Sequence, residues 1–106
     1  MTSRAKSTDG KEKNQTIREK KELLFKKLAS GEISLGGATK SMRNIVGLTQ
    51  KEYAEKILKI YPRVLMDIEN DRGNPTLETL QKIAKPFGLK VGFVRVQKEE
   101  EVQKNP

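Results

Sequence analysis

Through the middle of this 106-residue chain, apolar side chains recur at helical spacing, and Gly or Pro breaks the pattern at Gly31, Gly36, Gly37, Gly47, Pro62, Gly73, Pro75, Pro86 and Gly88. Punctuation that frequent excludes one long coiled coil and leaves short helices packed around a shared core. No apolar run approaches the roughly 20 residues that span a bilayer. The opening MTSRAKSTDGKEK also lacks the apolar centre of a secretory leader. Both readings place the chain in the cytoplasm.

What the chain can do chemically is narrowed by what it lacks. With no cysteine and no histidine, it cannot build disulfides, thiolate or imidazole metal sites, or a His-based catalytic triad. Carboxylates or lysine would have to carry any catalysis, and the acidic residues fall on helix faces with no apolar pocket evident in the pattern. The expectation is a binding protein that is not an enzyme and needs no cofactor. Lysine and arginine outnumber aspartate and glutamate by 22 to 14, and the resulting net charge of +8 suits a polyanionic partner.

Residues 1–15 contain no apolar side chain larger than Ala5 after Met1, so they read as a disordered basic arm. Its Arg4, Lys6, Lys11 and Lys13 could track phosphates or enter a minor groove, or be no more than a solvated tail. An extra helix is expected within 16–34, over 17–30, with Thr16 as its cap, Gly31 as its stop and Ile17, Leu24, Leu28 and Phe25 along one face. After Ser34-Leu35-Gly36-Gly37, a short helix is expected over 38–46, with Met42, Ile45 and Val46 as its apolar residues and Gly47 as its C-terminal cap.

Thr49-Gln50-Lys51-Glu52 has the form of a capping box and opens a helix over 50–58, with Tyr53, Ala54, Ile57 and Leu58 as its inward stripe. Pro62 is suited to the first position of the next helix, 62–70, which buries Leu65 and Ile68. A loop, Asp71 to Pro75, leads to a helix beginning at Thr76, with Leu77, Leu80, Ile83 and Ala84 inward and an end near Pro86. Residues 90–96 then alternate like a strand, and 97–106 form a polar tail. A lone strand leaves backbone groups unpaired, so Val91, Phe93, Val94 and Val96 are expected to pair with a second copy and make a homodimer.

Two short helices joined by a tight connection and braced by a third have the layout of a helix-turn-helix. The runs GLTQKEYAEKI, YPRVLMDIEN and NPTLETLQKIAKPFGL together resemble the Cro/repressor-type (XRE) helix-turn-helix family. The resemblance covers about residues 38–90, and the strand beyond Gly88 is similar to the HipB branch, encoded with a kinase-like toxin. It implies a mainly α, five-helix lambda-repressor-like helix-turn-helix domain over 35–90, with a C-terminal β-strand for dimerisation. One departure stands out. Leu58-Lys59-Ile60-Tyr61 occupies the turn, one residue longer than the family pattern and without its glycine.

The implied function is sequence-specific binding of double-stranded DNA at an inverted repeat, by a repressor located with the nucleoid. Thr49 and Gln50 would meet a phosphate at a helix N-terminus, and Tyr61 would offer its hydroxyl to another. Pro62, Arg63, Met66, Asp67 and Asn70 would line the recognition helix. Arg63 would read guanine, Met66 touch a thymine methyl or simply stand exposed, and Asp67 accept from cytosine or hold Arg63. Arg72 and Asn74 would contact phosphates from the following loop. Arg43 and Glu69 match family positions that form an internal ion pair. Two other readings remain beside an antitoxin that represses its own operon: a protein whose main task is to bind a toxin, and a phage-type repressor without one.

Overall fold

The computed structural model describes residues 15–95, within which five helices follow one another in chain order. The first, α1 (Ile17–Ser30), opens on a reciprocal capping box: the Thr16 hydroxyl accepts the Glu19 N–H at 3.0 Å, and the Glu19 carboxylate accepts the Thr16 N–H. It stops at Gly31, which has the left-handed conformation (φ 76°) that glycine tolerates without a Cβ penalty. The second, α2 (Leu35–Val46), is capped by Ser34 and begins three residues before the sequence reading placed it. Gly36 and Gly37 are therefore inside its first turn, because a good cap at Ser34 and a close neighbour outweigh the low helix propensity of glycine.

The next helix, α3, starts as Gln50–Glu52 and runs on as the π-helical turn Tyr53–Leu58, in which hydrogen bonds reach five residues along the chain. This turn accounts for the residue that lengthens the connection. Wider spacing brings Tyr53, Ala54 and Leu58 to the core and leaves Ile57 39% exposed, outside the inward stripe that regular α-helical phase assigns it. The N–H groups of Lys59 and Ile60 both converge on the Ala54 carbonyl. Lys59, at φ 60° and ψ 48°, takes the left-handed turn position that glycine usually fills.

Pro62 opens α4 (Pro62–Glu69), and Thr76 caps α5 (Leu77–Ala84), which tightens into a 3₁₀ turn, Lys85–Phe87, as Pro86 ends the α-helical ladder. The core joins Leu24 of α1, Ala38 and Met42 of α2, Tyr53, Ala54 and Leu58 of α3, Leu65 and Ile68 of α4, and Ile83 and Phe87. Helix α2 lies at its centre, packed on α1 on one side and α4 on the other. Ile17, Phe25 and Leu77, expected along inward faces, are instead exposed, as is Val46. Ile17 and Leu77 are the first residues of their helices, where little packs over the side chain.

The strand expected over 90–96 is corrected: residues 91–95 have no strand structure, and no strand occurs among the described residues. A strand exists only as a ladder with a neighbour, and the described residues supply none there. The expectations for residues 1–14, for Val96 and for the tail lie outside the described residues.

Candidate nucleic-acid interface

The centre of the site is a buried carboxylate. Glu69, at the end of α4 with a side chain 1% exposed, accepts two hydrogen bonds from Arg43 of α2, from Nε at 2.7 Å and from Nη2 at 3.0 Å. The side-on fork is the strongest geometry a guanidinium offers a carboxylate. A third donor is the Gln50 amide, with Nε2 2.9 Å from Glu69 Oε1, while Arg43 Nη1 donates to the Leu48 carbonyl at 3.1 Å. Its hydrogen bonding to Glu69 makes Arg43 hold its proton more tightly than an ordinary guanidinium, against the opposing effect of burial. Three helices thus converge on one charge. Beside it, burial and then the charge of Glu69 raise the Tyr53 phenol above the usual tyrosine range.

The sequence reading aimed the Gln50 amide at a phosphate; one of its hydrogens is instead directed inward to Glu69, because Gln50 opens the helix that packs beside the end of α4. Thr49 remains exposed. Its hydroxyl accepts the Glu52 N–H at 3.1 Å and Glu52 Oε1 accepts the Thr49 N–H at 3.0 Å, which keeps the Glu52 carboxyl below its ordinary range.

The opposite face of α4 points to solvent. Tyr61 precedes the helix in an extended conformation, 79% exposed, and makes no side-chain cap. Pro62 follows at the first turn, then Arg63, exposed and without an ion pair or side-chain hydrogen bond among the described residues. Met66 is 42% exposed. Asp67 does not hold Arg63: its carboxylate faces Arg72 Nη2 at 3.7 Å, and the Arg72 N–H donates to the Asp67 carbonyl at 2.8 Å. Asn70 turns back to donate to the Met66 carbonyl at 3.1 Å, and Asn74 is exposed in the loop. Arg63, Met66 and Asp67 therefore share one helix face, with Tyr61 before it and Arg72 behind it.

The sequence reading gave Asp71 only as the first residue of a loop. With φ 55°, a conformation that Asp tolerates better than most residues, it turns its carboxylate onto the start of α2. It accepts from the Gly36 N–H and the Ser34 hydroxyl, both at 2.8 Å. Gly36 permits this approach, since a Cβ there would stand 2.4 Å from the Ile68 carbonyl oxygen. Ser34 as a cap was the local signal for the helix start; nothing local signals a partner 35 or more residues away.

A family model described as helix-turn-helix matches residues 40–94, more than half of the chain. The chain belongs to the Cro/repressor-type helix-turn-helix family. It is also 37% identical over 62 residues to the immunity repressor protein of Bacillus phage phi105, an alignment covering 58% of this chain and 42% of that protein. The chain thus corresponds to less than half the length of that relative. No solved structure matches. Among the described residues no helix is long and apolar enough to cross a membrane.

Proposed function

We propose that this helix-turn-helix protein is a transcriptional repressor that lays α4 in the major groove of double-stranded DNA. The observation that carries the reading is the division of α4. Glu69, Leu65 and Ile68 lock its inner side to α2 and α3, and the outer side presents Arg63 free of any partner among the described residues. A rigidly held helix with an uncommitted guanidinium is what bidentate readout of guanine O6 and N7 requires. Met66 would touch a thymine methyl, and Asp67 would accept from a cytosine amino group. Thr49, the second amide hydrogen of Gln50, Tyr61, Arg72 and Asn74 would contact phosphates around them, with Pro62 and Asn70 bounding the helix.

The protein would act as a homodimer on an inverted repeat and exclude polymerase from a promoter. Similarity to an immunity repressor favours the phage-type reading. The second reading, a HipB-like antitoxin that also restrains a kinase-like toxin, draws support from Ile17, Leu23 and Phe25, which are exposed on α1 outside the family-matched residues.

Genome-wide footprinting of the tagged protein in its host, wild type against Arg63→Ala, tests the proposal. The expected outcome is a discrete inverted-repeat site that disappears in the variant while the protein stays folded. Enrichment unchanged by the substitution would remove Arg63 from readout, and no enrichment with wild type would remove the repressor reading itself.

A further inference from the structure

The lengthened turn before α4 borders a cavity. It has a volume of about 530 Å³, within the roughly 300–1,000 Å³ of small-molecule sites, and lies between the end of α3, the start of α4 and α5. Ile60 and Val64, half-buried against the core, give it an apolar wall, and Tyr61 adds an exposed aromatic ring.

Hydrogen-bond donors line the same space. Lys59 makes no ion pair or side-chain hydrogen bond among the described residues. Lys82 Nζ donates to the Lys59 carbonyl at 3.3 Å and meets Glu78 only at 3.9 Å, so part of its ammonium is free to bind. The Thr79 hydroxyl accepts from Thr76 at 3.0 Å and keeps its own proton to give. Glu55, the carboxylate in the lining, already faces Lys51 at 3.4 Å. Two ammonium groups against one paired carboxylate leave the cavity suited to an anion.

Lys59 also holds a backbone conformation that its side chain disfavours. At φ 60° its Cβ is strained, as it would not be in glycine. Asp71, the other non-glycine residue with positive φ among the described residues, offsets that cost with hydrogen bonds to Ser34 and Gly36. The Lys59 side chain has no such compensation in the fold. Strain of this kind clusters at ligand sites.

We infer that this cavity binds a small aromatic carboxylate, and that the bound molecule acts as an inducer. Its carboxylate accepts from Lys59, Lys82 and Thr79, its flat ring covers Ile60 and Val64 beside Tyr61, and a hydroxyl or amino substituent donates to Glu55. A bare inorganic anion would leave the apolar wall in water. With Tyr61 engaged by the ligand, its hydroxyl is withdrawn from a DNA phosphate, so occupancy weakens operator binding. The inducer role rests on the repressor reading; the binding site does not.

The site is tested without DNA by titrating the full chain with benzoate, salicylate, 4-hydroxybenzoate and anthranilate while its amide resonances are followed by NMR. At least one acid should bind, with shifts centred on Ile60, Val64 and Thr79. Lys59→Gly and Lys82→Met should each stay folded and weaken that affinity about tenfold or more, as loss of a charge-assisted contact does. Benzamidine, a cation of similar shape, should not bind. Failure of all four acids overturns the inference, as does binding that both variants retain or that benzamidine matches. Inorganic phosphate binding as tightly as the acids overturns it too and assigns the lysines to the DNA backbone. On the footprinted operator, saturating acid should raise the Kd about tenfold; an unchanged Kd removes the inducer role. A protein that binds the acid and no operator loses the repressor reading and keeps the site.

Discussion

The inner and outer faces of α4 come from eight consecutive residues and have opposite physical characters. On the inner face, Leu65, Ile68 and Glu69 are each no more than 5% exposed, and the one charge among them is met by three donors from two other helices. On the outer face, Arg63 makes no ion pair among the described residues, and Asp67 faces Arg72 across 3.7 Å in an exposed pair of little energetic weight. Charge on the inner face is locked into the packing of the helices; charge on the outer face stands in solvent. Substitutions should therefore separate into those that unfold and those that only unbind.

The largest effect should come from Glu69→Ala, which strands Arg43 against the core. Removing one partner of a buried pair typically costs about 3–5 kcal/mol, so urea unfolding should shift strongly and DNA binding should fall only with the folded fraction. Arg63→Ala should behave in the reverse way: stability within about 0.5 kcal/mol of wild type, but roughly 1–3 kcal/mol lost in discrimination at one base position, measured by titrating matched and mismatched duplexes. An Arg63→Ala protein that unfolded like Glu69→Ala would erase the contrast.

Gly36→Ala probes the seam without touching charge. Its new methyl would meet the Ile68 carbonyl, backbone that cannot step aside, and forcing extra volume into a packed contact costs about 1–3 kcal/mol by thermal melting. Lys59→Gly should go the other way, stabilising by up to about 1 kcal/mol as a left-handed turn position loses its Cβ, with the greater flexibility of glycine in the unfolded chain offsetting part of the gain.

The smallest effect is that of pH at the start of α3. Glu52 has a lowered carboxyl pKa, so the contribution of its capping hydrogen bond is complete above the ordinary carboxylate value of 4.5 and is lost as pH falls through the lowered one. The Thr49 amide proton, followed by NMR through that acid range, should report the loss. Glu52→Gln should flatten the curve.

Helix identity was legible wherever a cap and a stop flank an apolar period. Thr16 with Gly31, Thr49 with Glu52, Pro62, and Thr76 with Pro86 mark starts and ends that the structure keeps. Periodicity was misleading where the backbone left its usual geometry. The stripe Tyr53, Ala54, Ile57, Leu58 assumes an α-helical phase, and the five-residue reach of the π-helical turn rotates Ile57 out of it. Gly36 and Gly37 read as a break because glycine is a poor helix former, whereas a Cβ on Gly36 would run into the Ile68 carbonyl, so glycine is the residue that fits at that position.

From the sequence by itself came the family, the five short helices and the side of α4 that carries Arg63, since all three depend on local spacing and motif order. Only the tertiary structure decided where Gln50 and Asp67 direct their side chains, what Asp71 binds, how the longer turn is accommodated and that residues 91–95 find no strand partner among the described residues. Those outcomes depend on groups 5 to 37 residues apart, on a backbone phase that no single residue announces, or on a ladder partner that is absent among the described residues. Local propensity can mark where a helix begins, but which donor reaches a buried carboxylate is settled only when the helices pack.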